Sequence, residues 1–329
     1  MTKYLTQFKE KTETSMVAKI AYIALGKLLQ LITVLFAVSF LTFLLTRVAP
    51  GEPGLAMYKA AGIHPTDEML ALTREQLGLN KPFFVQYFTW LGNCLQGDLG
   101  TSFSKHEEVT TLIATNLSST FTLAITTLVV TLVIAMPLGI LAAVKSNKLT
   151  DYIIRFASFV AGSTPNFLAA LVLTFVLCYT YRLFPVVNKP GTIEALILPV
   201  TSLAIPMVAN YIRQIRTCYL EELSQEYVYG ARARGMSETR ILFVHVMRNT
   251  LLPLITLVAL SFGSLLGGAA IVEFIFSYPG LGSLIVHGVA YRDYPLIQGF
   301  VLWVAMCYTL INIGTDLLYK VFDPRLRKI

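Results

Sequence analysis

Six stretches of this chain contain no Asp, Glu, Lys or Arg: Leu28 to Thr46, Ser119 to Val144, Phe156 to Tyr181, Ala195 to Ile212, Asn249 to Val272 and Leu296 to Thr315. Each reaches or nearly reaches the roughly 20 residues with which an α-helix crosses about 30 Å of hydrocarbon. With 55% of residues apolar, only 14% charged and a mean hydropathy of +0.65, an ordinary soluble globular protein is excluded. The expected fold class is therefore an all-α polytopic membrane protein with six transmembrane helices. The fourth stretch is interrupted by Pro199 and Pro206, which free backbone carbonyls, so it is expected to be kinked and surrounded by protein.

Charge placement sets the orientation. Of the 26 lysines and arginines, eighteen fall in residues 1–27, 145–155, 213–248 and 320–329, and eight in the alternate segments. The positive-inside rule then puts both termini in the cytoplasm. The net charge of +7 reads as topology and attraction to anionic membrane lipids, with no reason to invoke nucleic acid. Residues 1–27 form a polar, basic lead-in without a cleavage signal, so the first span, 28–46, is expected to be its own insertion signal. Cys94, Cys178, Cys218 and Cys307 are scattered without a CxxC pair, which argues against a disulfide framework or a zinc site.

The longest extramembrane segment, 47–118, is expected outside. Pro65-Thr66-Asp67-Glu68 starts a helix that runs to Gly78, and Pro82 opens an amphipathic stretch with Phe83, Phe84, Tyr87, Phe88 and Trp90, aromatics suited to the membrane interface. The remainder, 119–320, is the five-helix core with a cytoplasmic loop at 213–248, and 321–329 is a cytoplasmic tail.

That loop is the segment offered to a soluble partner. Leu223, Tyr227, Ala231 and Arg234 recur at helical spacing; Gly235 suits a left-handed stop, Ser237 a cap of the next helix, and Glu238 its positive end. Gly230, Ala231 and Ala233 leave room for a partner backbone, and Arg232 and Arg234 are suited to bidentate bonds with its carboxylates. Gly230 to Gly235 has the glycine spacing of a P-loop. Met236, however, stands where lysine must reach the phosphates and no strand precedes it, so the chain is not expected to be an enzyme that hydrolyses ATP.

The segment resembles the EAA motif of permease subunits of ATP-binding-cassette (ABC) importers: Ala231, Ala233, Gly235, Ile241, Leu242, Arg248, Asn249 and Pro253 match, while Tyr229 and Gly230 depart. Arg47-Val48-Ala49-Pro50-Gly51-Glu52-Pro53, Leu77-Gly78-Leu79, Gly97-Asp98-Leu99-Gly100, Ser277 to Gly282, Arg292-Asp293-Tyr294-Pro295 and Asp323-Pro324-Arg325 resemble the dipeptide, oligopeptide and nickel permease family. The resemblance implies the type I importer permease fold in a prokaryotic plasma membrane, the inner membrane if Gram-negative. It implies as partners a homologous second permease, two ATPase subunits and an extracytoplasmic solute-binding protein. ATP and Mg would be used by those ATPases, with no cofactor on this chain. Tyr227, Ala231, Arg232, Ala233, Arg234, Gly235, Met236, Ser237 and Arg248 would then belong to the coupling helix that meets the ATPase.

Pore-lining candidates are the polar and helix-breaking residues within spans: Ser163, Pro165 and Asn166 in the third, Asn210 in the fourth, Ser261 and Ser264 in the fifth. Each is equally suited to an interhelical bond or a packing seam. Glu273 and Asp316 sit at span ends, where snorkelling to the interface competes with a role in the pore. His64, His106, His245 and His287 lack metal-ligand spacing, and no metal site is expected. Pro65 to Arg74 and Val85 to Leu91 lean toward nickel-type members, with nickel or a small nickel chelate as cargo. Di- or oligopeptides are the alternative, and a stand-alone carrier or channel is the reading from another class.

Overall fold

The computed structural model describes residues 2–48, 55, 57–58, 62–76, 78–185 and 191–322. Ala49 to Pro53, Leu77 and Asp323 to Arg325, which the sequence singles out, lie outside the described residues. The first helix, α1 (Thr2–Val48), is apolar over Leu25–Val48. Two short helices follow, α2 (Asp67–Gln76) and α3 (Phe83–Leu95). Then come α4 (Val109–Val144), α5 (Leu149–Gly162), α6 (Asn166–Leu173) running into a π-helical turn at Thr174–Thr180, and α7 (Glu194–Leu223). Next are α8 (Glu226–Ala233), α9 (Glu238–Arg240), a π-helical segment at Ile241–Val246, and α10 (Met247–Gly268). The chain continues through α11 (Ala270–Ile275), α12 (Leu281–Ala290) and α13 (Tyr294–Phe322).

Among the described residues four helices are long and apolar enough to span, at Leu25–Val48, Val109–Val144, Glu194–Leu223 and Tyr294–Asp316, and two bent pairs raise the number to as many as six if each is one span. One bent pair corrects the sequence reading. The third charge-free stretch is not one rod but α5 and α6, joined at an angle of 92°. Pro165 has no N–H and disfavours helix in the residue before it, while the Ser163 and Thr164 hydroxyls bond back to the Phe159 and Val160 carbonyls at 2.8 and 3.1 Å. The chain therefore turns there.

Pro199 and Pro206 do not break α7, which runs through both and carries the largest buried share of the four long spans. This helix also outlasts its charge-free stretch. Absence of charge marks greasy surface, not a helix end, and Arg213 to Leu223 extend the rod toward α8.

The core lies where α4 crosses α7. Thr127, Thr131, Ala135 and Gly139 recur every four residues on α4 and are all buried, the small-residue seam by which membrane helices approach closely. A Cβ on Gly139 would lie 2.7 Å from Ile215 Cγ2, so only glycine permits this crossing. Leu123, Leu128, Leu203, Ile212, Ile215 and Tyr219 fill the space around it.

The aromatics of α3 do not simply rest at an interface. Tyr87 is buried, its hydroxyl 2.9 Å from that of Ser39, and its ring packs edge-on against Phe40 and Phe43 of α1 at 5.4 and 5.5 Å. Phe84 and Phe88 remain exposed on the other face. α1 is tied to α13 as well: Gln298 Nε2 donates to Thr46 Oγ1 at 2.7 Å, and Lys27 pairs with Asp316. Asp316 is thus an interhelical partner rather than a lone snorkelling charge.

Candidate functional site: an elbow, a cavity and two capped turns

The elbow begins where α8 ends. The Gly235 N–H donates to the Arg232 carbonyl at 2.9 Å and the Met236 N–H to the Ala231 carbonyl at 3.2 Å, the Schellman pattern. Gly235 supplies the left-handed residue that this pattern needs, at φ +75°. Ser237 takes the extended conformation of a cap, but its hydroxyl makes no capping bond, and its carbonyl accepts the Ile241 N–H at 3.1 Å.

Two sequence expectations change here. Ala231 is buried against the chain's own core together with Val228, so it is not a surface for a partner. Arg232 is held by Glu238, Nε to Oε1 at 2.7 Å and Nη2 to Oε2 at 3.2 Å, because the turn brings the first residue of α9 back beside the end of α8. Tyr227, Tyr229, Ala233, Arg234, Gly235, Ser237 and Arg248 remain exposed, and Met236 is half-buried against the core.

Glu222, absent from the sequence-based candidates, is the joint of the elbow. Its Oε2 accepts from the Tyr227 hydroxyl at 2.6 Å and from Asn249 Nδ2 at 3.0 Å, tying the ends of α7, α8 and α10 to one carboxylate. Burial and the adjacent Glu222 carboxylate push the Tyr227 phenol up to about 12, so it stays a donor. A span-end acid followed five residues later by a tyrosine was the available signal, but the third partner, 27 residues away, could not be read.

The pore candidates separate into three groups. Asn210, Ser261 and Ser264 meet in a cavity of about 540 Å³ between α7 and α10, lined also by Tyr211, Arg213, Gln214 and Thr217. Arg213, Gln214 and Thr217 lie three, four and seven residues after Asn210, on one face of α7. Ser163, Pro165 and Asn166 do not line this cavity; they form the α5–α6 turn.

Glu273 stands alone and is corrected. It neither snorkels nor lines the cavity, being fully buried. Its carboxylate accepts from the Gly282 and Ser283 N–H groups at 2.7 and 3.1 Å and from Thr120 Oγ1 at 2.9 Å. Thr120 Oγ1 in turn accepts the Leu281 N–H at 2.8 Å. The orphan donors of the first turn of α12 are thus satisfied from outside, with negative charge at the positive helix end. The glycines of Ser277 to Gly282 follow: a Cβ on Gly280 would strike the Glu273 carboxylate, and one on Gly282 the Ala270 Cα.

Asp293 does the same for α13. One of its oxygens accepts the Leu296 N–H at 3.3 Å, and the other accepts from Ser102 Oγ at 2.6 Å and from the N–H and hydroxyl of Ser104 at 2.9 and 2.8 Å. An aspartate just ahead of a helix start is a legible cap; its tie to the turn at 102–104 is not.

A helical bundle with four to six apolar spans, a polar cavity against one long helix and an elbow at that helix's end is the architecture of a multi-pass membrane protein. The chain belongs to the family of binding-protein-dependent transport system inner membrane components, whose model matches residues 135–328; the N-terminal model of the same systems' membrane components matches 21–124. It is a pore-forming permease subunit of an ABC importer, integral to the membrane. It is 37% identical over 303 residues, 92% of this chain and 91% of the relative, to the nickel import system permease protein NikB of Staphylococcus aureus strain USA300. The same protein from the bovine strain RF122 is 36% identical over the same length. Among solved structures, an inward-facing MetNI methionine ABC transporter chain superposes with a TM-score of 0.53 at 15% identity, covering 64% of this chain and 96% of that one, which establishes the shared fold.

Proposed function

We propose that this subunit imports nickel, carried as a small chelate, as one half of a pore completed by a homologous second permease. Two ATPase subunits would drive it and an extracytoplasmic binding protein would load it. The termini and the elbow face the cytoplasm in this reading, and ATP and Mg act on the partners alone.

The observation that carries the mechanism is the continuity of α7. One unbroken helix, Glu194–Leu223, holds Asn210 in the cavity wall and Glu222 in the elbow. A rigid rod transmits displacement along its length, so a push on α8 moves the cavity wall without any local refolding. Alternating access then needs only two packings of α7 and α10 against their neighbours. The cargo assignment is supported by the nickel permeases among the relatives.

The test is uptake of radioactive nickel by cells that lack other nickel importers and express this chain with its neighbouring transport genes. Uptake should vanish when the ATPase subunits are inactivated and should survive an excess of dipeptides. Competition by dipeptides would shift the cargo to peptides, and uptake by vesicles holding this chain alone would make it a carrier.

A further inference from the structure

The wall of the α7–α10 cavity carries one charged side chain. Among its lining residues Asn210, Gln214, Thr217, Ser261 and Ser264 are neutral, and the charge is the Arg213 guanidinium. Arg213 leans on its own helix, Nη2 donating to Asn210 Oδ1, which leaves most of its N–H groups uncommitted. The Asp151 carboxylate of α5 does not neutralise it, being held by Arg216, Nε to Oδ1 at 2.7 Å and Nη2 to Oδ2 at 2.8 Å. Arg155 of α5 adds a second guanidinium where a shallow groove between α5 and α7 runs up to Arg213.

We infer that Arg213 makes this cavity a binding site for anionic cargo, a metal chelate presenting carboxylates, and excludes the bare divalent cation. The inference rests on the nickel reading above and names the chemical form that passes. A free Ni²⁺ in this cavity meets a like charge and no compensating ligand. Among the described residues no His, Cys, Asp or Glu lines the wall, and the Asn210 amide oxygen already accepts from Arg213. A chelate that turns carboxylates outward meets the opposite situation, since a guanidinium bonds a carboxylate bidentately. The Ser261, Ser264 and Thr217 hydroxyls then serve the remaining polar surface weakly, as suits a site that must release what it binds.

The alternative role for an arginine near a span end is topological, holding the cytoplasmic end of α7 at the lipid headgroups. It predicts no dependence on ligand charge. The two are separated with the complete purified complex in detergent, at fixed ionic strength, by calorimetric titration with nickel citrate and with nickel bis-histidine, an anionic and a neutral complex. For Arg213→Gln the affinity for nickel citrate should fall about tenfold, the effect of removing one charge-assisted hydrogen bond. Affinity for the bis-histidine complex should hold within about twofold. Arg213→Lys should lie between wild type and Arg213→Gln, and Lys148→Gln, a change of the same charge on the exposed 145–148 turn, should match wild type. Equal citrate affinity in wild type and Arg213→Gln, or no citrate binding by the wild type, overturns the assignment. An unchanged unfolding midpoint of Arg213→Gln shows that the fold is intact; should it drop, the Arg213→Lys titration decides by the same comparison. Nickel uptake by the wild-type complex is measured in parallel: its absence with any chelator sinks the nickel reading, while the citrate titration alone decides Arg213.

Discussion

Asp151 is completely buried and engages Arg216 from 65 positions away, with the Asn147 N–H donating to the same carboxylate at 3.0 Å. The pair pins the α4–α5 turn to α7. A buried ion pair adds little over apolar packing, but breaking one side leaves an uncompensated charge that costs roughly 3–5 kcal/mol. Arg216→Met should therefore lower the unfolding midpoint of the purified permease sharply, and the double variant Asp151→Asn, Arg216→Met should recover part of that loss. A midpoint for Arg216→Met equal to wild type would remove the pair from the stability of the fold. A single atom decides Gly282 as well. A methyl group there meets the Ala270 backbone, so Gly282→Ala must open the turn that Glu273 caps, and expression of folded protein should fall well below that of Ser283→Ala, where only a side chain changes. Neither contact is legible in the sequence. Arg216 reads there as one more positive charge inside, and Glu273 as a charge at a span end, because a partner's distance along the chain hides it.

At the scale of the element, the elbow behaves as one piece. The Schellman turn fixes its bend, the Arg232–Glu238 pair closes it, and Glu222 joins it to two spans. Gly235 has no neighbouring atom within 4 Å of a built Cβ, so inside this chain its side is empty, and only its φ of +75° demands glycine. An L-residue there costs roughly 1–2 kcal/mol, an amount that the α7–α8 junction can absorb. Gly235→Asp should accordingly insert and fold but, on the function proposed above, lose transport and stimulated ATP hydrolysis, because the empty side leaves room there for the proposed ATPase partner. Wild-type ATP hydrolysis by that variant would show that no partner packs there. Tyr227→Phe removes the bond to Glu222 without changing shape, and uptake per ATP hydrolysed should drop severalfold while hydrolysis itself persists. Much of this element was legible. Gly235 announces the turn through its left-handed backbone, and Ser237 and Glu238 mark the next helix start by residue type, although the Ser237 hydroxyl makes no capping bond there. The inward face of Ala231 was not, since small size suits close approach from either side. The α5–α6 bend was legible in part: Thr164-Pro165 marks a break, yet the charge-free run across it reads as one continuous span.

For the whole molecule, helix length and charge together predict which way it lies in the membrane. α4 has 36 residues, about 54 Å of helix, against about 30 Å of hydrocarbon. Its surplus must project from one side. Lys145 and Lys148 follow directly after Val144, placing that end at a headgroup surface. The projecting end is therefore Val109 to Ser118, where Thr110 bonds the Gly97 carbonyl at 2.9 Å and the bridge from Thr101 to Glu108 lies alongside. Bulky apolar side chains stay exposed on α1, at Leu28, Leu29 and Ile32, and on α5, at Phe156, Phe159 and Val160, surfaces suited to lipid or to the second permease. Because lysine and arginine concentrate on the Lys145 side, that side is expected to be cytoplasmic. The expectation is checked in a variant whose four cysteines are replaced, carrying a single new cysteine at one of two exposed positions. A membrane-impermeant maleimide added to intact cells should label Lys105→Cys and spare Arg234→Cys, and opening the cells should make both reactive. Labelling of Arg234→Cys from outside would invert the molecule. It would put the elbow out of reach of any ATP-hydrolysing partner and remove the mechanical link from α8 through α7 to the cavity.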